Sequence, residues 1–271
     1  MALTSHFRIL SVAFYLGFKQ AWATRITLFG SFLVYGMILI VWAGILKIIP
    51  VETLARLNLT ATQLIWYMAA TESVLFICPF SFFKDLQNDF VTAQADLALL
   101  RPYPASFLRA GLWSGEVAFR FLGLVPVFFM VSFLLAGPLP VDFSALAGFV
   151  LSFPLAVVIV LALTYMIGAS CLWFVQAEPV FWIMSKLSFL FGALLFPMSF
   201  YPQAFQPLMW MTPFPAYVAC AGNWFLALPP MFYVLQFLHQ FLWALAAVLA
   251  LKIFDDRVLR RFQTGKGVQI C

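Results

Sequence analysis

Residues 26–49 read ITLFGSFLVYGMILIVWAGILKII, with Lys47 as their single charge. As a helix rising 1.5 Å per residue this run is about 36 Å long, enough to cross the ~30 Å hydrocarbon core of a bilayer. The whole chain has the same character. Of 271 residues 65% are hydrophobic, 18% aromatic and only 9% charged, with a mean hydropathy of +1.01. A soluble domain has ~45–50% apolar and ~25% charged residues, so a globule of this size could neither hide its apolar surface nor stay dissolved. A water-soluble enzyme, a disordered chain and a disulfide scaffold are excluded. Cys78, Cys171, Cys220 and Cys271 stand far apart without zinc or redox spacing. A polytopic helical membrane protein remains.

Working outward, residues 1–24 carry no cleavable signal. Leu3, Phe7, Leu10, Phe14 and Phe18 recur at helical spacing, which predicts an amphipathic helix lying along the membrane surface; the alternative is a plain extension of the first span. After Pro50, Thr60-x-x-Gln63 has the capping-box pattern, so a second span is expected from there to about Phe83. The polar stretch Lys84–Ser106 precedes a third span at about 107–136. Gly137-Pro138-Leu139-Pro140 separates it from a fourth at 145–173, and Gln176-Ala177-Glu178-Pro179 breaks the chain before a fifth at 180–200. A sixth at 231–254 leads into a basic tail. The expectation is one all-α transmembrane permease domain over 1–271. It consists of an interfacial helix (1–24), a six-helix core (26–254) and a basic tail (255–271).

Orientation follows the lysines and arginines. With the amino terminus inside, the cytoplasmic segments hold eleven of them and the outer links only Lys47 and Arg56. Both termini are therefore expected in the cytoplasm, with the compact chain read as bacterial and lodged in the inner membrane. Residues 201–230 then lie outside, yet they contain six prolines, no lysine or arginine, and many aromatics. Irregular backbone at membrane depth survives only when buried in protein or lining a cavity. A re-entrant helical hairpin in the outer leaflet is expected, punctuated by Pro202, Pro207, Pro213 and Pro215, with Trp210 and Trp224 at headgroup level. Asn58-Leu59-Thr60 matches a glycosylation acceptor but reads as the cap before the second span.

The order of elements resembles the permease subunit of ABC-2-type exporters. The stretch Leu195-Phe196-Pro197-Met198-Ser199-Phe200-Tyr201-Pro202, followed by Met211-Thr212-Pro213-Phe214-Pro215, is similar to that superfamily's apolar span ending in F-P-x-S-x-x-P and its later Pro-Phe step. Leu99-Leu100-Arg101-Pro102 is similar to the end of the cytoplasmic helix in a bacterial branch. That branch often has a glycine near the helix start, where this chain has Asn88-Asp89. The resemblance implies a dimer of permeases, a second copy or a paralogue, docked on ATPases from the cytoplasm. The chain has no G-x-x-x-x-G-K-[ST]; Gly265-Lys266-Gly267 lacks the spacing and the hydroxyl. ATP and magnesium are accordingly expected on a separate P-loop ATPase, and no cofactor on this chain. Membrane lipids, and no nucleic acid, complete the expected partners.

Three sets of residues carry the candidate chemistry. Gly168-Ala169-Ser170-Cys171 and His239 resemble, loosely, an intramembrane serine hydrolase. In the expected topology Ser170 and His239 lie roughly 37 Å and 12 Å below the outer surface, too far apart for a base and its nucleophile. No catalytic, metal or cofactor-binding residue is assigned. Glu72, Glu116, Arg120 and Lys186 fall in or near spans, where an unpaired charge costs at least ~2.5–3.5 kcal/mol. Glu116 and Arg120 stand four apart and can pair; such charges would serve as structural pairs, as pathway residues, or as proton carriers of a stand-alone secondary transporter. Over 85–101, Leu86, Phe90, Ala93, Leu97 and Leu100 form one apolar stripe. It rests on lipid, or it docks in a groove of the ATPase. In the second case Leu86, Phe90, Leu97 and Arg101 couple ATP hydrolysis to the spans. Pro197, Pro202, Pro213 and Pro215 are the expected structural markers of the outer hairpin.

Overall fold

The computed structural model describes residues 2–78, 81–91, 105–174 and 176–263, and all regular structure among them is helical. In chain order the helices are α1 (Ala2–Ala23), α2 (Ile26–Leu46), α3 (Val51–Arg56), α4 (Ala61–Ile77), α5 (Phe82–Val91), α6 (Ala105–Ala136) and α7 (Phe143–Ala169). After them come α8 (Glu178–Phe191), three short helices α9 (Gln206–Trp210), α10 (Phe214–Tyr217) and α11 (Ala219–Asn223), and the long α12 (Pro230–Gln263). Two 3₁₀ turns, Ser170–Leu172 and Met198–Phe200, flank α8. Five stretches are long and apolar enough to cross a membrane: Leu28–Leu46, Ala61–Phe90 (which takes in α4 and α5), Ser106–Ala136, Phe143–Leu172 and Pro230–Val258. The chain is a multi-pass membrane protein.

Local sequence explains where these helices begin and what they bury. The Thr60–Gln63 box is made in full: Thr60 Oγ1 accepts the Gln63 N–H at 3.2 Å and Gln63 Oε1 accepts the Thr60 N–H at 2.9 Å. Two of the four orphan donors at the start of α4 are thereby satisfied. α4 is the least apolar of the five stretches and the most enclosed, whereas α2, with a mean hydropathy of 2.1, is only 17% buried. The least apolar stretch is thus the one kept away from lipid.

α1 departs from the expected surface helix. It is interrupted from α2 at Thr24–Arg25 and lies lengthwise on the first half of α6. A Cβ on Gly17 would stand 1.9 Å from the Leu112 carbonyl oxygen, and one on Gly115 would stand 2.0 Å from that of Phe14. Ala13 faces Gly111 in the same seam, and Phe18 and Trp22 meet Phe119 edge-on at 5.4 and 5.7 Å. The positions rise together along both helices, so the pair is parallel. Small residues every fourth position let two backbones approach this closely. Val12, Tyr15 and Leu16 remain exposed on the other side.

The fifth expected span needs a correction. α8 holds 14 residues, about 21 Å, and is too short to cross alone. It ends at Gly192; Ala193 takes a positive φ of 53°, and Pro197 opens a 3₁₀ turn. The carbonyls freed by this break are captured by α4: Tyr67 donates to the Ala193 oxygen at 2.5 Å and Thr71 to that of Leu194 at 2.7 Å. The start of α8 lies beside α5, where Gln87 Oε1 accepts the Ala177 N–H at 2.9 Å. Downstream, Gln63 reaches the Leu226 carbonyl at 3.4 Å and Trp224 donates to Ser152 at 3.1 Å. Those partners sit at the opposite ends of α4 and α7. Between Glu178 and Leu226 the backbone therefore passes from one end of the bundle to the other in pieces.

Candidate coupling and gating site

At one end of the bundle, α5 is clamped from three sides. Phe82 stacks on Trp113 of α6 at 5.5 Å and 9°, and Phe83 stacks on Phe181 of α8 at 4.9 Å. Leu86 fills the space over Gly168 of α7, where a Cβ would come within 2.9 Å of its Cδ2. Arg109 of α6 forms an ion pair with Asp89, and Lys84 lies 3.7 Å from Glu178 of α8. The Arg120 guanidinium hangs 5.9 Å over the Phe82 ring.

This packing corrects the docking expectation. Of the expected apolar stripe, Leu86 and Phe90 do share one face of α5, but they are 3% and 5% exposed in the chain's own core. They are unavailable to a groove on another protein. Leu97 and Arg101 lie outside the described residues. The face of α5 turned to the surroundings carries Ser81, Lys84, Asp85 and Asn88, four polar residues at helical spacing. The sequence carried this signal as the polar complement of the stripe.

At the opposite end the connection to α12 is folded inward. Every residue from Phe214 to Asn223 is buried. A Cβ on Gly222 would meet Tyr67 at 2.5 Å and Thr71 at 2.7 Å, so only glycine lets α11 lie against α4. Tyr217 and Ser188 share a hydrogen bond of 2.5 Å, and Trp224 stacks on Tyr233 at 4.6 Å and 3°. Prolines open the turns: the carbonyls of Pro197, Pro202 and Pro213 accept the N–H groups of Phe200, Phe205 and Ala216. Pro215 sits in the first turn of α10, where its missing N–H costs nothing. Residues 202–204 and 207–208, by contrast, are exposed.

A family model described as ABC-2 family transporter protein matches residues 84–266, from within α5 to beyond the end of α12. The chain belongs to this family. No curated protein matches it significantly. Family membership, together with the long apolar helices, makes the chain a transmembrane ABC transporter permease. Both ends of the bundle described above fall within the matched region apart from their α4 contacts and residues 81–83 of the α5 end.

In this ABC-2 permease the four intramembrane charges do not converge. Arg120 donates from Nε and Nη2 to Glu116 Oε1 at 2.9 and 2.7 Å, a pair within α6. Lys186 is exposed on α8, with its ammonium 5.7 Å from the Trp182 ring. Glu72 is buried midway along α4, with no hydrogen-bond or ion-pair partner among the described residues. Ser170 donates to the Ile167 carbonyl at 2.6 Å. Nε2 of His239 instead lies 2.9 Å from the Trp210 carbonyl and 3.0 Å from the Trp243 indole N–H, donating to the first in one tautomer and accepting from the second in the other. It ties α9 to α12 and makes no contact with Ser170.

Proposed function

We propose that the chain is the permease subunit of an ATP-driven exporter, pairing with a second copy or a paralogue. A separate P-loop ATPase, holding ATP and magnesium, docks on its cytoplasmic end. The observation that carries this reading is α5: a short helix at the end of the bundle, locked to three others, with a polar face turned outward. A helix so held transmits force. Displacing it pulls α6 through Arg109 and Trp113 and α8 through Glu178 and Phe181. α6 also carries α1 along its glycine seam, and α8 leads directly into residues 193–226.

The broken passage supports six crossings in all, with α8 and the segment after it acting as the fifth. With the basic tail inside, both termini are cytoplasmic in a bacterial inner membrane, and residues 201–230 close the outer end. α9–α11 then form the re-entrant hairpin, and the prolines at 197, 202, 213 and 215 set its turns. The Glu116–Arg120 pair reads as a structural strut, and Lys186 reaches the interface over Trp182.

Glu72 favours a second reading, in which a lone buried carboxyl carries protons for an ion-driven transporter. Reconstitution separates the two. Permease and candidate ATPase together in proteoliposomes should show vanadate-sensitive ATP hydrolysis that depends on the permease. Gradient-driven transport by the permease alone would contradict the first reading.

A further inference from the structure

A cavity of about 500 Å³ opens between α1, α6, α7 and α12 at the same end of the bundle as α5. Such a volume falls within the ~300–1,000 Å³ range of small-molecule sites. Its walls are graded. On α6 Ser106 lies toward the end and Ala110 and Trp113 deeper; on α7 Tyr165 lies toward the end and Leu161 and Val157 deeper; on α12 Lys252, Asp255 and Asp256 lie toward the end and Val248 deeper. On α7 and α12 polar groups gather at the mouth and apolar ones line the floor, while α6 adds Phe107 beside Ser106 and Ser114 at its inner end. Val158 and Val248, 38% and 47% exposed, stand at its lateral edge.

The polar end combines internal bonding with unpaired charge. Asp255 is buried and accepts a hydrogen bond from Ser106. Tyr165, 1% exposed, stands beside Asp255. Lys252 and Asp256, four apart on α12, make no ion pair among the described residues. A cation and an anion side by side, above an apolar slot, complement an amphiphile that carries both charges.

We propose that this cavity binds one zwitterionic phospholipid of the surrounding leaflet. An acyl chain lies along Trp113, Val157 and Leu161, the phosphate lies at Lys252, and the ammonium lies at Asp256. The leaflet is the cytoplasmic one if the orientation proposed above holds; the site itself does not depend on it.

The test uses the purified protein in phosphatidylcholine nanodiscs with a trace of phosphatidylethanolamine bearing a photoactivatable diazirine at the acyl end. Labelled peptides should concentrate in 106–114, 157–165 and 248–256, above the level on the lipid-facing α2 residues 33–41. Val158→Trp and Val248→Trp narrow the lateral opening at exposed positions that tolerate bulk. Each should lower cavity labelling about tenfold, the loss expected when two methylenes are kept out, and leave α2 labelling unchanged. Phosphatidylglycerol with the same chain, lacking the ammonium, should label the cavity less, and Lys252→Gln with Asp256→Asn should erase that preference. Equal labelling of cavity and α2, or cavity labelling indifferent to both tryptophans, overturns the site. Equal labelling by the two lipids in the unaltered protein overturns the headgroup assignment.

Discussion

At the α5 end the bundle is closed by a helix held through ion pairs and ring stacking, with a polar face left outward. At the opposite end residues 193–194 and 214–223 are drawn into the core and held by neutral hydrogen bonds to α4 and a glycine contact. Nothing charged takes part there. The first arrangement suits an element that another protein grips and moves; the second suits a seal excluding water from a low-dielectric interior. The two ends differ in what they should tolerate, and that difference can be measured.

The largest effect is expected from burying a charge. Phe90→Asp places a carboxylate in the core under α5, at a cost on the order of several kcal/mol. The permease should lose folded yield in detergent, seen as a collapsed size-exclusion peak. Normal yield would mean that Phe90 faces out and that the α5 end resembles a docking stripe after all. Gly222→Val at the opposite end sets a Cβ against Tyr67 and Thr71, an overpacking cost of about 1–3 kcal/mol. Its loss of thermal stability should exceed that of Gly168→Val, whose nearest obstacles, Leu86 at 2.9 Å and the Phe83 carbonyl at 3.0 Å, stand farther off. The reverse order would show the α5 end to be the more rigid of the two.

A smaller effect sharpens the contrast between charge and neutral bonding. Tyr67→Phe leaves the Ala193 carbonyl without its donor and should cost roughly 1–3 kcal/mol of stability. Arg109→Gln removes a pair whose side chains are 21% and 24% exposed, worth only ~0.2–1 kcal/mol after solvent screening. Transport should rank them the other way, with Arg109→Gln losing activity in a protein that still folds. Parallel losses of stability and transport in both variants would erase the proposed division between seal and lever.

Much of this was legible in the residues, and the failures have physical causes. The capping box at Thr60 is local chemistry and needs no tertiary context, so it was readable. The period of Leu86 and Phe90 was readable too, but an apolar stripe fits any apolar surface, and the chain's own α6, α7 and α8 claimed it first. The fifth span was overextended because residues 192–200 are as apolar as those before them; the break comes from Gly192 and a positive φ at Ala193, which hydropathy does not register. The seam between α1 and α6 does not show in the large residues that carry the helical period of α1. Its signal is the small ones, Ala13, Gly17 and Ala21 facing Gly111 and Gly115. The burial of residues 214–223 was half visible: the absence of charge forbade a solvated loop without saying which helix would cover it.

The central claim is that the outward face of α5 is where an ATPase grips this permease. Ser81→Arg combined with Asn88→Arg places two bulky charges on the exposed face and leaves the Lys84–Glu178 and Arg109–Asp89 pairs and the buried stripe intact. Surface changes of this kind alter stability by no more than ~0.5 kcal/mol, so the permease should purify at normal yield and melting temperature. Pulled down with its ATPase co-expressed, the variant should return the permease without the ATPase, and vanadate-sensitive hydrolysis in the assembly should vanish. Recovery of the ATPase in full, with hydrolysis unchanged, would contradict the claim.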